Sequence, residues 1–235
     1  MKTMHKFLIA VILVSIIGST SAVSHANVVK NAVEDNLASS DKNDYLLEKK
    51  DSLEKIVSRE VADKHTKDES SSLSAISMAR FFIKKNNIVK AIASYEQAIN
   101  SETDKYKKAN YCYEFATVIY EQKDYQRVRN LANQAIAIKP DWGKPYVLIG
   151  KIYAASANLI GESDIQQRIV YCLAVDQFIN AKTVDPEVTA EADKEIGIYS
   201  QYFPNKEDAL FENISAGSIY KIGGWINEST TVRLR

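Results

Sequence analysis

A junction between two helical patterns, punctuated by proline, constrains this chain more than any other feature. The stretch from Ala135 to Tyr153 reads AIAIKPDWGKPYVLIGKIY. Pro140 ends the first pattern, because proline lacks an N–H and disfavours α geometry in the residue before it. Asp141 is a suitable N-cap for a second helix, and Pro145 falls in the first turn, where a missing donor costs little. The stretch therefore predicts two helices joined by a very short turn.

The same pattern recurs upstream and downstream, which predicts a stack of helical hairpins. Each unit carries small residues where its two helices approach most closely, since a large side chain there would wedge the helices apart. In the first helix of each hairpin these residues are Ala79, Ala116 and Gly150. In the second helix they are Ala91, Ala98, Ala135, Ala174 and Ala181.

The spacing of the units shows one large insertion. Ala91 and Val128 are 37 residues apart, and Val128 and Ala174 are 46 apart, against a period of about 34 for the commonest helix–turn–helix repeat. The second excess is 12 residues and lies between Tyr153 and Tyr171. We predict that these residues form an elongated inter-helix loop or extend the ends of both helices.

These motifs resemble the tetratricopeptide repeat (TPR), with its small residue and aromatic in the first helix and its Ala–aromatic–Ala triplet in the second. Four segments are also similar to a group of secreted TPR proteins of Bacteroidota that have no assigned activity: KPDWGKPYVLIGKIYAAS, AVDQFINAKTVDP, YFPNKED and GGWINESTTVR. The resemblance covers roughly residues 73–235. It implies an all-α helical-hairpin solenoid, which is a binding fold without catalytic residues or a cofactor.

The predicted TPR-like domain spans residues 73–203, with a capping helix over 188–202, because the ends of a solenoid need to be covered. About three repeats are expected within it, at 73–108, 109–142 and 143–187. The tail, 204–235, changes to alternating and β-branched residues around a Gly–Gly break, which predicts a small β-hairpin. Since a lone hairpin is marginal in water, we expect it to pack on the helices through Tyr220, Ile222 and Trp225.

The N-terminus has the features of a targeting segment. Lys2 and Lys6 precede an apolar run over residues 7–17, which is too short to cross a bilayer. Small residues then allow cleavage after Ala22 or Ala26. We predict a Sec signal peptide over residues 1–26, without a lipobox cysteine, and a periplasmic or secreted protein with no stable membrane span after cleavage; an uncleaved anchor is the alternative.

Residues 27–72 are polar and charged. Within them, apolar residues over 44–61 are compatible with an amphipathic helix and equally with a disordered spacer. The following tract, 62–72 (ADKHTKDESSS), has almost no apolar residues and predicts a flexible linker.

Composition argues against several classes of function. The chain has 30 basic and 30 acidic residues, so no positive excess points to nucleic acid. After cleavage at Ala26 only His65 remains, which argues against a His-based triad or a histidine metal site. Cys112 and Cys172 lie among apolar residues of predicted helices, so we expect two buried free thiols rather than a disulfide. No GxSxG, CxxC or Gly-rich phosphate loop occurs in the sequence.

An enzyme with carboxylate chemistry is a minor alternative. It depends on a cluster of acidic residues after Pro186, namely Glu187, Glu191, Asp193 and Glu195. Acidic side chains in a first helical turn complement the helix dipole. We expect that structural role for them.

The candidate binding surface is the concave groove that the resemblance implies for the first helices of the repeats. The residues predicted to line it and contact a partner are Arg80, Lys84, Tyr113, Thr117, Tyr120, Lys144 and Lys151. Tyrosines are rigid anchors in interfaces, and the cations suit acidic groups of a ligand. The chaperone-type carboxylate clamp of the family has an Asn where this chain has Glu114, so that recognition mode is not expected.

The leading hypothesis is a non-enzymatic scaffold that binds a protein or peptide in this groove. The alternative is a structural or assembly subunit of an envelope complex that uses the C-terminal hairpin. In that case, deletion of residues 218–235 is expected to abolish association and leave the helices folded. Self-association stays open, because a groove of three repeats is short and residues 46–61, from the same chain or a second copy, are a candidate occupant.

Overall fold

The computed structural model describes residues 43–161 and 163–235. The predicted signal peptide and residues 27–42 lie outside the described residues. The secondary structure of the described part consists of helices followed by one two-stranded sheet. The α-helices are α1 Asn43–Lys84, α2 Ile88–Ser101, α3 Lys105–Glu121, α4 Tyr125–Ile138, α5 Gly143–Ile160, α6 Asp164–Val184, α7 Thr189–Tyr199 and α8 Lys206–Phe211. Short 3-10 turns cover Pro186–Val188 and Ser200–Tyr202, and the strands are β1 Ile219–Ile222 and β2 Glu228–Thr231.

The chain divides into two compact units, residues 1–67 and 68–235. In the first unit, residues 43–67 are helical, so of the two alternatives for 44–61 the structure shows the helix. In the second unit, α3 pairs with α4 and α5 with α6 as helical hairpins, and α7 follows them. The C-terminal part of α1 and α2 precede these hairpins and contribute to the same buried core. The predicted fold class, a helical-hairpin solenoid with a small C-terminal hairpin, is confirmed.

The flexible linker predicted over 62–72 is wrong, because α1 runs through it without a break. The tract contains no Gly or Pro to stop a helix, and its Ala, Lys, Asp and Glu residues tolerate helical geometry. Its end is also anchored within the second unit. The Ser72 hydroxyl is buried and donates to Glu102 Oε2 at 2.9 Å, and Lys107 Nζ lies 2.6 Å from Glu69 Oε1.

The start of α5 differs from the expectation that Asp141 would be its N-cap. The capping position is held by Trp142, whose side chain makes no capping hydrogen bond. Instead, the buried N–H of Gly143 donates to Asp185 Oδ2 at 2.9 Å. The carboxylate of Asp185, at the end of the following helix, thus replaces the local N-cap that the sequence predicted. Asp185 also accepts a hydrogen bond from the Glu187 N–H.

The 12-residue insertion lengthens two helices. α5 continues to Ile160, ten residues past Gly150, whereas α3 ends at Glu121, five past Ala116. α6 begins ten residues before Ala174, whereas α4 begins three before Val128. α5 is thus five residues longer and α6 seven residues longer than their counterparts, which together account for the 12-residue insertion. The insertion therefore extends the ends of both helices and does not form a long inter-helix loop.

The C-terminal segment packs on these extended ends. Ile165 and Ile169 of α6 form a buried cluster with Ala209 and Val232 of the tail. The strands pair antiparallel, with Ile219 opposite Thr231 and Ile222 opposite Glu228. As predicted, Tyr220, Ile222 and Trp225 pack against the main core.

Polar contacts fix the hairpin to three helices. Arg129 of α4 donates to the Ile226 carbonyl at 2.6 Å, and the Tyr153 hydroxyl of α5 donates to Glu228 Oε1 at 2.7 Å. On α6, Asp176 accepts hydrogen bonds from Thr230 and Arg233. The hairpin is therefore an integral part of the helical domain.

Both cysteines are free and buried, in agreement with the sequence expectation. Burial raises the pKa of the Cys112 thiol to about 11, so it is protonated near neutral pH and unreactive. Among the described residues, no helix has the length and apolar content needed to cross a membrane.

Candidate functional site

A pocket between α3, α5 and α7 brings together three of the predicted partner-binding residues. Its volume is ≈ 180 Å³, and its walls are Tyr113, Lys144, Val147, Leu148, Lys151 and Glu191. Val147 and Leu148 are buried and form an apolar floor. Small-molecule sites have volumes of roughly 300 Å³ or more, so this pocket suits one side chain of a larger ligand.

Helical periodicity explains why α5 supplies most of the wall. Lys144, Val147, Leu148 and Lys151 recur at three- and four-residue intervals, which places them on one face of the helix. Tyr113 contributes from α3 across the interface between the first helices of two neighbouring hairpins. Glu191 comes from the first turn of α7, so the helix that caps the stack also closes one side of the pocket.

Lys151 is already paired within the protein. Its Nζ lies 2.7 Å from Glu191 Oε1 and 3.6 Å from Glu195 Oε1. Burial works to lower the pKa of Lys151, but the hydrogen bonds and charges of the two glutamates outweigh it and raise the pKa. Lys151 is therefore charged and locally neutralised.

Lys144 is the cation that remains available to a ligand at this pocket. Its side chain is exposed, and within residues 43–161 and 163–235 it has no ion pair. A ligand carboxylate would meet an uncompensated ammonium at Lys144, whereas at Lys151 it would have to displace Glu191.

An aromatic pair stands beside the pocket. The rings of Tyr113 and Trp142 lie 4.8 Å apart between centroids, tilted by 58°, and Lys139 Nζ lies 4.4 Å from the Trp142 centroid. Burial and the nearby Glu191 carboxylate raise the pKa of Tyr113, so its hydroxyl is a neutral donor and acceptor. Trp142 was not among the predicted binding residues. The sequence signal that could have identified it is a large aromatic side chain in the otherwise polar turn before α5.

Thr117 and Tyr120 continue the same face of α3 beyond Tyr113. Thr117 Oγ1 donates to the Glu114 carbonyl of its own helix at 2.7 Å. Tyr120 is half-buried and its ring centroid lies 6.0 Å from that of Tyr125. Burial raises the pKa of Tyr120, and the charge of nearby Lys151 opposes that rise. These two residues therefore lie on the face of α3 that continues from Tyr113, outside the lining of the pocket.

Arg80 and Lys84 lie apart from the pocket lining. Arg80 makes a two-point ion pair with Glu114, with Nε 2.9 Å from Oε1 and Nη2 2.8 Å from Oε2. The Tyr95 hydroxyl donates to the same carboxylate at 2.8 Å. One glutamate thus links α1, α2 and α3, and the charge of Arg80 is satisfied inside the protein. Lys84 is exposed in the last turn of α1.

Glu191 was missed as a site residue for a physical reason. Its acidic cluster is explained locally by the helix dipole, and its partner Lys151 is 40 residues away. No pattern within α7 encodes that distance. The pairing of Arg80 was not predicted for the same reason, since Glu114 lies 34 residues from it.

The Glu114 contacts give a pH prediction. Burial works to raise the pKa of Glu114, but the hydrogen bonds from Arg80 and Tyr95 and the charge of Arg80 outweigh it and lower the pKa. A carboxyl group whose pKa is lower in the folded state stabilises the fold above its unfolded pKa of about 4.3. That contribution is lost as the pH falls through the folded pKa. We expect Glu114→Gln to lower the free energy of unfolding at pH 7 by about 1 kcal/mol, since the pair is partly exposed.

The measurement is urea unfolding of both proteins between pH 7 and pH 3. The difference between them should shrink below about pH 4. Glu96→Gln is the matched control, because Glu96 pairs with Arg127 at a more exposed position. A difference that stays constant over this pH range would contradict the assignment.

Comparisons with known proteins add a fold likeness only. No family model matches the sequence, and no curated protein matches it. Among solved structures, the TPR2B domain of yeast Sti1 in a pHsp70 complex is 17% identical with a TM-score of 0.45, over 55% of this chain and 96% of that chain. The first TPR domain of Spaghetti (RPAP3), bound to the HSP90 peptide SRMEEVD, is 18% identical with a TM-score of 0.43, over 56% and 92%.

A third similar structure is the N-terminal domain of stress-induced protein-1 from C. elegans. It is 19% identical with a TM-score of 0.36, over 53% of this chain and 93% of that chain. All three scores are below 0.5. The fold assignment therefore rests on the hairpins of this chain.

Proposed function

We propose that this chain is a non-enzymatic scaffold that binds a protein or peptide along the first helices of its hairpins. The observation that carries the proposal is the pocket between α3, α5 and α7, where Tyr113, Lys144 and Lys151 converge on an apolar floor. Such an arrangement is suited to holding a side chain of a ligand.

The pocket specifies part of the ligand. An apolar side chain fits against Val147 and Leu148 with the Tyr113 ring beside it, and an acidic group next to that side chain would reach Lys144. Burying one apolar side chain contributes about 1.5–3 kcal/mol, whereas micromolar affinity needs about 8 kcal/mol. The pocket is therefore an anchor, and further contacts along Thr117 and Tyr120 are required.

Affinity capture with matched variants tests the proposal. Purified chain is immobilised and exposed to envelope extract, and bound proteins are quantified by mass spectrometry. We expect the specific partner to fall about tenfold or more on both Tyr113→Ala and Lys144→Glu, as for loss of a binding hot spot. Lys105→Glu, an exposed lysine at the start of α3, is the control that should retain it. If every captured protein survives both pocket variants, the pocket is not the binding site.

Carboxylate catalysis has little support in the geometry. Three of the four acidic residues after Pro186 are engaged by lysines: Glu191 and Glu195 by Lys151, and Asp193 by Lys182. Two carboxylates that act as a general acid and a general base need different environments that separate their pKa values. In the described part of the chain, no cluster of His, Cys, Asp and Glu is arranged to hold a metal ion.

A second candidate, an assembly role for the hairpin, is favoured by one observation. The register of the ladder, with the Val232 N–H donating to the Ser218 carbonyl, directs the backbone groups of Ile219 and Lys221 away from β2. This edge could accept a strand from a partner. In the capture experiment, loss on Lys221→Pro with retention on Lys144→Glu would favour the hairpin over the pocket.

The location we propose is the periplasm or the exterior of a bacterial cell. Its support is the basic, apolar and small-residue order of residues 1–26. Intact-mass measurement of the protein recovered from the envelope fraction should give a chain that begins at Val23 or Asn27. Recovery of the full-length chain would contradict cleavage.

A further inference from the structure

The two ends of the pocket carry opposite charge. At one end Lys144 is exposed and, within the described residues, forms no ion pair. At the other end a single ammonium, that of Lys151, faces two carboxylates, with Glu191 Oε1 at 2.7 Å and Glu195 Oε1 at 3.6 Å. One ammonium against two carboxylates leaves an excess of one negative charge at this end. The pocket therefore presents a positive end and a negative end to a ligand.

Glu191 is the carboxylate of the negative end that a ligand can reach. Its side chain is 46% exposed and lines the pocket, whereas that of Glu195 is 15% exposed and lies outside the lining. The ammonium of Lys151 donates to Glu191 Oε1. Among the described residues, none donates a hydrogen bond to Glu191 Oε2. Since each carboxylate oxygen accepts hydrogen bonds, Glu191 can hold Lys151 and still accept from a ligand.

The spacing along α5 sets the size of a matching ligand. Lys144 and Lys151 are seven residues apart, which is about 10 Å along a helix. The apolar floor, Val147 and Leu148, lies between them. In an extended peptide every second side chain points the same way, at about 6.6 Å intervals. Three such side chains therefore cover both ends and the floor, because long acidic and basic side chains take up the small difference in length.

We propose that the ligand of this pocket is an extended peptide segment in which an apolar residue stands between an acidic residue and a basic residue at alternate positions. The apolar side chain lies on the floor, the acidic one reaches Lys144 and the basic one reaches Glu191. This inference rests on the proposed function and adds the second charge of the ligand. It makes Glu191 a specificity-determining residue.

Electrostatics gives Glu191 that role. A second acidic residue of the ligand would meet the excess negative charge at this end, and like charges in contact suppress a wrong partner. To bind Lys151 it would also have to break the 2.7 Å contact with Glu191. A basic residue meets neither obstacle, and the Tyr113 ring in the same lining offers it a face for a cation–π contact.

Selection from a peptide library tests the proposal. The probe is a phage-displayed library of 12-residue peptides with leucine fixed at the sixth position and all other positions random, selected on the immobilised full chain. We expect enrichment of an acidic residue two positions to one side of the leucine and of arginine two positions to the other. The most enriched peptide is then synthesised with a fluorescent label, with its arginine or with citrulline, which has nearly the same shape but no charge.

A double-mutant cycle assigns the arginine to Glu191. On the wild type, citrulline should weaken binding about threefold or more, measured by anisotropy. On Glu191→Gln, arginine and citrulline should bind equally. Glu207→Gln is the matched control, because Glu207 is an exposed glutamate in the first turn of α8, as Glu191 is in α7, and lies outside the pocket lining. It should retain the full citrulline effect, and urea unfolding should show that both variants are folded.

The outcomes separate this inference from the proposed function. Selected peptides that lose binding on Tyr113→Ala but show no arginine preference would overturn the basic requirement and leave the pocket as a binding site. An equal citrulline effect on the wild type and on Glu191→Gln would do the same. If the library gives no enriched peptide, or if the enriched peptides bind Tyr113→Ala as well as the wild type, the pocket is not the binding site and both proposals fail.

Discussion

Deletion of residues 218–235 should leave a chain that no longer unfolds in one cooperative transition. Ile222, Ile226 and Val232 in this segment are only 3%, 1% and 1% exposed. Burial of each such side chain contributes about 1.5–3 kcal/mol, so the three together contribute roughly 4–9 kcal/mol. A typical domain has a net stability of about 5–15 kcal/mol, which makes the loss comparable to the whole.

The deletion also uncovers the helices on which the hairpin lies. Ile165 and Ile169 of α6 would lose Val232 as a packing partner, and Asp176 would lose its bonds to Thr230 and Arg233. From the sequence we expected the helices to stay folded without this segment. With these contacts in view, we expect the deletion to destabilise them. An association experiment with the truncated chain would report unfolding rather than the loss of a docking strand.

Urea unfolding followed by far-ultraviolet circular dichroism measures the effect. Ile219→Ser is the matched control, since Ile219 is 71% exposed on the outer face of β1; it should change the free energy of unfolding by less than about 0.5 kcal/mol. A truncated chain that unfolds cooperatively at the midpoint of the full chain would show that the hairpin is a dispensable appendage.

Alanine substitution at Gly150 of α5 and at Gly197 of α7 should change the free energy of unfolding in opposite directions. Gly150→Ala places a methyl group against the Phe178 ring, and overpacking of this kind costs about 1–3 kcal/mol. Gly197→Ala adds the same methyl group in open space and gains up to about 1 kcal/mol from helix propensity. Both substitutions add the same methyl group, so the difference between their effects on the free energy of unfolding reports what that methyl group contacts.

A double-mutant cycle tests whether the Phe178 ring is the cause. Phe178→Leu reduces the side chain that would meet the new methyl group, so Gly150→Ala should cost less in that background. We expect a compensating coupling of about 0.5–3 kcal/mol between the two sites, measured by urea unfolding. Equal signs for Gly150→Ala and Gly197→Ala, or zero coupling with Phe178, would contradict the close packing of α5 on α6.

Local chemistry determined the helices and their pairing. Asp124 and Ser163 accept hydrogen bonds from the backbone of α4 and α6, and the prolines at 140 and 186 interrupt the helical runs. The small residues Ala116 and Gly150 lie where the hairpins close. All of these signals act within about one helical turn, so they are legible in a single sequence.

The part of the candidate site that comes from one helix was predicted in the same way. Tyr113, Thr117 and Tyr120 follow the face of α3, and Lys144 and Lys151 follow the face of α5. Periodicity alone places such residues on one side of a helix. It does not say which of their charges are already paired, and that distinction separates Lys144 from Lys151.

The tertiary structure alone decided the pairings between distant residues. The N–H of Gly143 is capped by Asp185 rather than by a local residue, Lys151 is neutralised by Glu191, and Arg80 is held by Glu114. Likewise, the 12-residue insertion became the platform for the C-terminal hairpin. Each of these contacts joins residues more than 30 positions apart, and sequence periodicity carries no information at that range. The repeat determined which helices form, and their packing decided which charges and surfaces are left for a partner.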